Sequence, residues 1–356
     1  MSKKKRTAAD TISKIRAIRG QELSVDVLFK GVVHGDKTLL AKAITLLESE
    51  QPAHFEKANV LIEKSLSTAR QSVRLGITGV PGVGKSSFIE ALGNNLTAAG
   101  NKVAVLAVDP SSSLSKGSIL GDKTRMQTLS NNPRAFIRPS PSGTALGGVA
   151  QKTRESIVLC EAAGFDVILV ETVGVGQSEI AVHNMVDFFL LLKLSGAGDE
   201  LQGIKRGIME MADAIAINKA DGSNLQQARQ ARAEFKRALH LYPPKENGWV
   251  PTISLCSSTE NTGIHEIWGI VEDFVGRNKE NGFFEKNRKD QNRHWFLQSV
   301  DNHIRQLFRQ DPTFNKRQEA LLAKVEAGKI SPFYAAKILM GQLELKDLNL
   351  HRSNTQ

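Results

Sequence analysis

The chain has 356 residues, of which 40% are hydrophobic and 24% charged, a composition that is ordinary for a globular protein with a substantial core. Its only two cysteines, Cys160 and Cys256, exclude a disulfide framework and a cysteine-rich metal site and favour a reducing, cytoplasmic setting. No run approaches the ~18 apolar residues of a membrane span. The net charge of +10 is dispersed and lacks interleaved aromatic residues, which predicts phosphate-rich ligands rather than nucleic acid.

Helical patterns fill the first part of the chain, where no run of residues predicts a strand. They cover Ala8–Arg19, Val25–Val33, Lys37–Ser49 and Ala53–Thr68. We expect this helical N-terminal segment, residues 1–70, to pack as structural cover on the domain that follows.

From residue 71 to about residue 280, strand-like apolar runs alternate with helical patterns, which predicts an α/β fold with a mainly parallel central sheet. The runs are Val73–Ile77, Val103–Val108, Ala135–Arg138, Val167–Val170, Phe188–Leu192, Ala214–Ile217 and Thr252–Leu255. In open sheets of this kind, ligands bind at the carboxyl ends of the strands. Each candidate functional residue of this domain falls just after one of the runs.

The first strand leads into a complete phosphate-binding loop, Gly79-x-x-x-x-Gly84-Lys85-Ser86, which opens a helix. Its glycines let the backbone take positive φ and approach phosphates, so that successive N–H groups face one anion. Lys85 adds a charge for the β- and γ-phosphates, and the Ser86 hydroxyl is a predicted Mg²⁺ ligand. The predicted nucleotide cradle consists of Gly79, Val80, Pro81, Gly82, Val83, Gly84, Lys85, Ser86 and Ser87.

The tetrapeptide from Asn218 to Asp221, Asn-Lys-Ala-Asp, directly follows the strand Ala214–Ile217 and predicts the base. The Asp221 carboxylate can accept from guanine N1–H and N2–H₂, whereas adenine would leave it desolvated and unpaired. The stem of Lys219 can cover the base. Ser257 and Ser258 occupy the place of a second base-contacting loop, although a plain loop with capping serines would look the same. The pattern predicts GTP and GDP as ligands rather than ATP.

The strand Val167–Val170 ends at Glu171, and Gly174 follows three residues later, which is typical of a γ-phosphate sensor. The acid would reach Mg²⁺, and the Gly174 N–H would meet the γ-phosphate. We expect this loop to be released on hydrolysis. Gln177 has two interpretations, as the residue that orients the attacking water or as a solvent-facing glutamine.

Two further carboxylates lie in polar loops on the nucleotide side of the predicted sheet. Asp109 ends the strand Val103–Val108, and Asp122 follows Gly121. With Ser86 and Glu171 they would form the oxygen-rich shell that Mg²⁺ prefers.

Beyond residue 281 the chain turns helical again, with predicted helices at Arg293–Arg309, Thr313–Ala327 and Ser331–Leu343. The last of them would carry an uncovered apolar face on an isolated arm. Either the same arm of a second subunit covers this face, or the chain's own core does. The sequence thus predicts three segments: 1–70, a GTPase domain at 71–280, and a helical C-terminal arm at 281–356.

Five motifs, in this order and spacing, resemble the MeaB/ArgK family of P-loop GTPases, which belong to the SIMIBI class near the nickel-insertion GTPases. They are the phosphate-binding loop, V-D-P-S-S from Val108, G-D-K-T-R-M from Gly121, E-T-V-G-V-G-Q-S-E from Glu171, and N-K-A-D from Asn218. The resemblance covers residues 30 to about 345. It implies a G-protein chaperone of adenosylcobalamin-dependent methylmalonyl-CoA mutase that gates cofactor loading and protects the mutase.

The resemblance also implies roles for individual residues. Phosphate and Mg²⁺ would be served by Lys85, Ser86, Asp109, Asp122 and Glu171, and guanine by Asn218 and Asp221. A mobile loop matching Leu194–Lys205 would couple the nucleotide state to the mutase through Asp199 and Lys205. Family members are homodimers through the C-terminal arm, which favours the dimer interpretation here.

Two other functions compete with this chaperone role. A metallochaperone GTPase needs soft or imidazole ligands near the switch, and neither cysteine lies in a Cys-x-x-Cys or Cys-His pair. A kinase of an arginine/ornithine transport system, a label once given to the family, needs an acceptor base and usually ATP. We expect slow intrinsic GTP hydrolysis that a partner accelerates, because no arginine finger is evident; Arg125 and Arg154 are the candidates.

Overall fold

The structure is a computed structural model that describes residues 23–49, 51–108, 126–139, 146–172, 178–195, 206–239 and 242–341. Its contacts divide the chain into two compact units, and the division falls between Arg288 and Lys289. The three-segment division stays a prediction. The helix predicted at Ala8–Arg19 lies outside the described residues.

Strands and helices alternate through the first unit, as the apolar runs predict. The strands are β1 (Val73–Gly79), β2 (Val103–Val108), β3 (Ala135–Arg138), β4 (Val167–Thr172), β5 (Phe188–Lys193), β6 (Ala214–Ile217) and β7 (Thr252–Leu255). The helices are α1 (Val25–Val33), α2 (Lys37–Glu48), α3 (Pro52–Leu66), α4 (Lys85–Ala98), α5 (Gln127–Ser130), α6 (Leu146–Ala162), α7 (Ser178–His183), α8 (Arg206–Met211), α9 (Leu225–Leu239) and α10 (Ile264–Glu280).

The strands form one seven-stranded sheet in the order β3-β2-β4-β1-β5-β6-β7, and every pairing is parallel. All strands therefore end at one margin, here called the carboxyl edge, and begin at the other, the amino edge. Strand β1 lies in the middle, with Ile77 opposite Glu171 of β4 and Gly79 opposite Leu192 of β5. This register brings the ends of three strands together around the loop that follows Gly79.

Four strands have the predicted bounds, whereas β1, β4 and β5 run one or two residues further than their apolar runs. The extensions carry polar side chains that are nevertheless buried, among them Thr78, Glu171, Thr172 and Lys193. Thr172, for example, donates to the Thr78 hydroxyl oxygen at 2.8 Å. Glu171 is therefore part of a strand, which fixes its backbone more firmly than a loop position would.

Helices cover both faces of the sheet. On one face, α4 and α10 pack over a large apolar cluster that includes Phe88, Phe188 and Phe274. On the other, α9 packs through Ala228, Ala231 and Phe235 over the strands β5, β6 and β7. Helices α1, α2 and α3 contact α6, so the described part of the N-terminal segment forms the expected helical cover.

Helix α11 (Phe283–Gln310) begins in the first unit and continues into the second, which also contains α12 (Pro312–Glu326) and α13 (Pro332–Gly341). The predicted start of α11 at Arg293 was ten residues late, because the polar run after Phe284 hides the periodicity. The real start is marked by Asn281, whose side chain accepts from the Phe283 N–H at 2.9 Å. Across the described ranges, no helix combines the length and hydrophobicity of a bilayer span.

Candidate functional site

The turn between β1 and α4 has the backbone of an anion-binding loop. Gly84 takes φ 92° in the left-handed region and forms the N-cap of α4, so the first free N–H groups of the helix face the loop. A Cβ on Gly84 would lie 2.7 Å from the Asn218 side-chain nitrogen, and one on Gly79 would lie 2.6 Å from the Leu192 carbonyl oxygen. Glycine is thus required at both positions by conformation and by space.

Lys85 is folded onto this loop. Its Nζ donates to the Gly79 carbonyl at 2.7 Å and to the Val80 carbonyl at 3.2 Å, and the residue is 8% exposed. Burial lowers the pKa of Lys85, and the nearby carboxylates of Glu171 and Glu179 act in the opposite direction. The ammonium group is held at the mouth of the loop, where an incoming phosphate can replace the carbonyl contacts.

Two predicted metal ligands come together beside Lys85. The Ser86 hydroxyl donates to Glu171 Oε1 at 3.2 Å. A hydroxyl and a carboxylate oxygen at this distance are hard donors that fit Mg²⁺, which accepts oxygen ligands and keeps several waters. Within the described ranges, no group of three or more His, Cys, Asp or Glu residues forms a metal cage, so a cation here would depend on phosphate and water for its remaining ligands.

Asn218 joins three loops at the carboxyl edge and is 1% exposed. Its Nδ2 donates to the Val83 carbonyl of the phosphate-binding loop at 2.9 Å. Its Oδ1 accepts from the Ser258 hydroxyl at 2.9 Å and from the Ser258 N–H at 3.2 Å. The base-reading tetrapeptide, the second base-contacting loop and the phosphate-binding loop are therefore fixed to one another by a single side chain.

The remaining base-reading residues surround the Asp221 carboxylate. It accepts from the hydroxyl of Ser257, which is fully buried and also accepts from the Glu260 N–H at 3.1 Å. Lys219 takes φ 58°, a conformation rare for a residue with a side chain, and its Nζ reaches the Gly82 carbonyl at 2.9 Å. The stem of Lys219 thus spans from the base-reading loop to the phosphate-binding loop.

Several predicted site residues lie outside the described residues, and their roles stay predictions. They are Asp109, Asp122, Arg125, Gly174, Gln177, Asp199 and Lys205.

Arg154, one of the two candidates for an arginine finger, faces a different environment. Burial and the neighbouring Arg74 lower the pKa of Arg154 to about 9, and the carboxylates that oppose this are Glu161 and Asp187. Arg74 and Asp187 lie at the amino edge, at the start of β1 and just before β5. The structure therefore does not support Arg154 as the finger.

Two charged residues near the site received no role from the sequence. Glu179 is 2% exposed and acts on the pKa of Lys85. Lys193 is 1% exposed at the end of β5, where its carbonyl accepts from the Asn218 N–H at 2.8 Å and its Nζ lies 5.8 Å from the Phe235 ring centre. A charge inside or directly after a strongly apolar run, as in F-F-L-L-L-K, is the signal that would have found Lys193.

The central strand of the parallel sheet leads into the phosphate-binding loop, and Asn218 connects this loop to the one that carries Asp221. This arrangement defines a P-loop NTPase of the guanine-nucleotide type. The family model "Methylmalonyl Co-A mutase-associated GTPase MeaB" matches residues 40–313. The chain belongs to this family of GTPases, as the motifs predicted.

Individual relatives agree with this assignment. A probable GTPase of Mycobacterium tuberculosis is 48% identical over 324 residues, which cover 91% of this chain and 96% of the relative. The mitochondrial methylmalonic aciduria type A homolog of Mus musculus is 43% identical, covering 89% of this chain and 79% of its own length. Among solved structures, a LAO/AO transport system kinase superposes with a TM-score of 0.72 at 36% identity, covering 90% of this chain and 98% of that one.

Proposed function

We propose that this GTPase is a G-protein chaperone that gates the loading of adenosylcobalamin into methylmalonyl-CoA mutase or a related acyl-CoA mutase, and protects and reactivates that enzyme. The observation that carries the proposal is the match to the mutase-associated family model over residues 40–313. The name of the mouse relative, a methylmalonic aciduria type A homolog, supports the same client chemistry.

The site residues support a charge-stabilised phosphoryl transfer. GTP would lie along the phosphate-binding loop, with Lys85 exchanging its contacts to Gly79 and Val80 for phosphate oxygens. Bound Mg²⁺, held by Ser86 and Glu171, would neutralise charge on the phosphates. We propose that Gln177 orients the attacking water and that the client completes the site, which makes turnover slow without it.

The described start of the loop Leu194–Lys205 supports its proposed coupling to the nucleotide. Ser195 Oγ donates to Asn224 Oδ1 at 2.6 Å, and Asn224 Nδ2 donates to the Lys219 carbonyl at 2.6 Å. Two hydrogen bonds thus connect the loop to the residue that spans the base and phosphate loops. We propose that Asp199, further along the loop, and Lys205 at its end contact the mutase.

Exposed apolar side chains in the second unit support a homodimer through the C-terminal arm. Helices α12 and α13 pack on each other, yet Phe333 is 87% exposed, Tyr334 58% and Met340 52%. Such a face is normally covered by a partner. We propose that the same arm of a second subunit covers it, in a dimer that works in the cytoplasm.

The test is GTP turnover by the purified full-length protein, with and without a cobalamin-dependent acyl-CoA mutase from the same cell, and with ATP in parallel. Stimulation by the mutase with GTP alone supports the chaperone. If no cobalamin-dependent mutase stimulates turnover, the protein is still a GTPase, but the proposed client is wrong. Turnover of ATP with transfer of phosphate to a protein would instead favour a kinase, the activity after which the structurally similar LAO/AO transport system kinase is named.

The base assignment has its own test, the substitution Asp221→Asn. An amide in place of the carboxylate presents a donor to guanine N1–H, so we expect GTP affinity to fall about 100-fold and xanthosine triphosphate to bind better than GTP. Asp273→Asn, on the exposed surface of α10, is the matched control. Unchanged GTP affinity in the Asp221 variant would contradict the assignment.

A further inference from the structure

Strand β7 forms one margin of the sheet and pairs only with β6 among the residues that the structure describes. The Cys256 N–H just beyond it donates to the Ile217 carbonyl of β6 at 2.9 Å. Because successive residues of a strand direct their backbone groups to alternate sides, Ile253 and Leu255 direct theirs away from β6. Neither has a backbone hydrogen-bond partner in the described part of the chain, but the Leu255 carbonyl oxygen lies against Gly263, where an added Cβ would approach it to 2.2 Å. The margin is therefore open to another strand at Ile253, whereas the start of α10 covers the Leu255 carbonyl.

A groove of about 710 Å³ runs beside β7. Its floor is apolar, with Leu239, Ile253 and the 63% exposed Val250. Its wall is one flank of α9, where Arg229, Arg232 and Lys236 recur at helical spacing. The groove therefore combines a strand margin, an apolar floor and a basic wall.

The three cations of this wall face solvent, and none forms an ion pair with another described residue. The apolar face of α9, with Ala228, Ala231 and Phe235, is already used in the core. The side chains of Ile253 and Leu255 pack toward the same core cluster, so the side chains of an added strand that point the same way would meet the basic flank.

We propose that this groove binds an extended acidic segment of a partner protein, which adds to the sheet as a further strand next to β7. Main-chain hydrogen bonds to the N–H and carbonyl of Ile253 would give affinity, and acidic side chains at every second position would pair with Arg229, Arg232 and Lys236. The nucleotide residues lie on the carboxyl edge, so this surface can be occupied together with GTP.

Other occupants fit the groove less well. A second copy of this margin would bring two sets of three like charges together. The run Lys3-Lys-Lys-Arg6 of this chain carries the wrong sign. Nucleic acid matches the charge but offers no strand backbone. A purely protective function, in which the cations and Pro251 discourage strand pairing, is the alternative that predicts no binding at all.

The probe is a fluorescein-labelled ten-residue peptide in which glutamate alternates with valine, added to the full-length protein and followed by fluorescence anisotropy. The triple variant R229E/R232E/K236E should bind it at least about tenfold more weakly, since three exposed charge pairs become repulsive. The control K42E/R237E/K279E changes the net charge equally at other exposed positions and should bind normally. Equal binding by the two variants, or no binding by the unsubstituted protein, overturns the proposal.

Strand addition is separated from simple charge attraction by a second probe, the same peptide N-methylated at alternate residues. It keeps every charge but loses the main-chain donors, so we expect at least about tenfold weaker binding. The unmodified peptide should also slow hydrogen exchange at the amide of Ile253. Equal binding of both peptides, or equally strong binding of an RNA decamer, would show a general polyanion surface and refute the acidic strand.

Discussion

Charged side chains are buried at both edges of the sheet, but the groups that they hydrogen-bond to differ between the edges. At the amino edge, Arg74 makes two hydrogen bonds of 2.8 Å to Glu161, and Arg288 makes two of 2.6 Å to Asp187. Arg288 also reaches Glu161 at 3.2 Å. Burial alone would raise the pKa of Glu161, but Arg74 and Arg288 outweigh it and hold the pKa below its ordinary value. These charges are matched within the fold.

At the carboxyl edge the charged groups rest on contacts that a ligand can replace. Lys85 donates to carbonyls of its own loop, and the Ser86 hydroxyl reaches Glu171 at 3.2 Å, longer than the usual hydrogen bond between two oxygens. Both edges therefore contain buried charge, and burial alone does not identify the functional one. The distinguishing property is the charge of the hydrogen-bond partner: an oppositely charged side chain at the amino edge, and a neutral carbonyl or hydroxyl group at the carboxyl edge.

The largest expected effect comes from breaking the amino-edge network with Arg74→Ala. It would leave Glu161 buried without its main cation, so the free energy of unfolding should fall by about 3–5 kcal/mol. Urea unfolding at pH 7 measures this, and GTP turnover per folded molecule should stay unchanged. Arg277→Ala breaks a solvent-exposed pair with Asp273 and should cost less than about 1 kcal/mol. Equal losses in the two variants would remove the distinction between the edges.

In contrast to Arg74→Ala, Lys85→Ala should reduce GTP turnover strongly and the free energy of unfolding only slightly. GTP turnover should fall by roughly 100- to 1000-fold, because a charge that stabilises the transferring phosphoryl group is lost. The free energy of unfolding should fall by less than about 2 kcal/mol, since loop carbonyls that lose Lys85 become accessible to water. Lys286→Ala, which removes an exposed partner of Glu246, is the control. A stability loss like that of Arg74→Ala would make Lys85 a structural residue.

The two edges also differed in how far the sequence predicted them. The phosphate-binding and base-reading loops are local motifs whose chemistry lies within a few residues, so Gly84, Lys85 and Asp221 were identified directly. The strands β2, β3, β6 and β7 were predicted with their observed bounds. Strands β2 and β6 are continuous apolar runs, as buried parallel strands are, whereas the marginal strands β3 and β7 also include polar residues.

The amino-edge network escaped prediction because its partners are distant in sequence. Arg74 and Glu161 are 87 residues apart, and Arg288 and Asp187 are 101 apart; no local pattern pairs them. For the same reason, the sequence did not predict the contact between Asn218 and Val83, which are 135 residues apart. Periodicity finds elements and motifs find loops, but contacts between elements appear only once the register of the sheet is known.

Gly84→Ala tests the contact between loops at the carboxyl edge. Alanine would have to hold φ near 92° and displace the Asn218 side chain, which a Cβ would approach to 2.7 Å. We expect a loss of about 1–3 kcal/mol in the free energy of unfolding and weaker GTP binding. At Gly269, on the exposed side of α10, a Cβ meets nothing within 4 Å, so Gly269→Ala should stabilise by about 0.5–1 kcal/mol. Normal GTP binding by Gly84→Ala would show that the loop tolerates a side chain.

The smallest effect concerns a pH dependence confined to the amino edge. His183 lines a cavity of about 600 Å³; burial lowers its pKa below the ordinary 6.5, Lys245 acts the same way, and Asp213 opposes them. Between the native pKa and 6.5 the unfolded chain binds more protons, so stability should fall as pH falls through this window. His183→Gln should flatten this slope, by less than about 1 kcal/mol in total, whereas His265→Gln on the exposed side of α10 should not. An unchanged slope in His183→Gln would contradict the assignment, because Glu161, whose pKa lies below its ordinary 4.5, loses its stabilising charge only at lower pH.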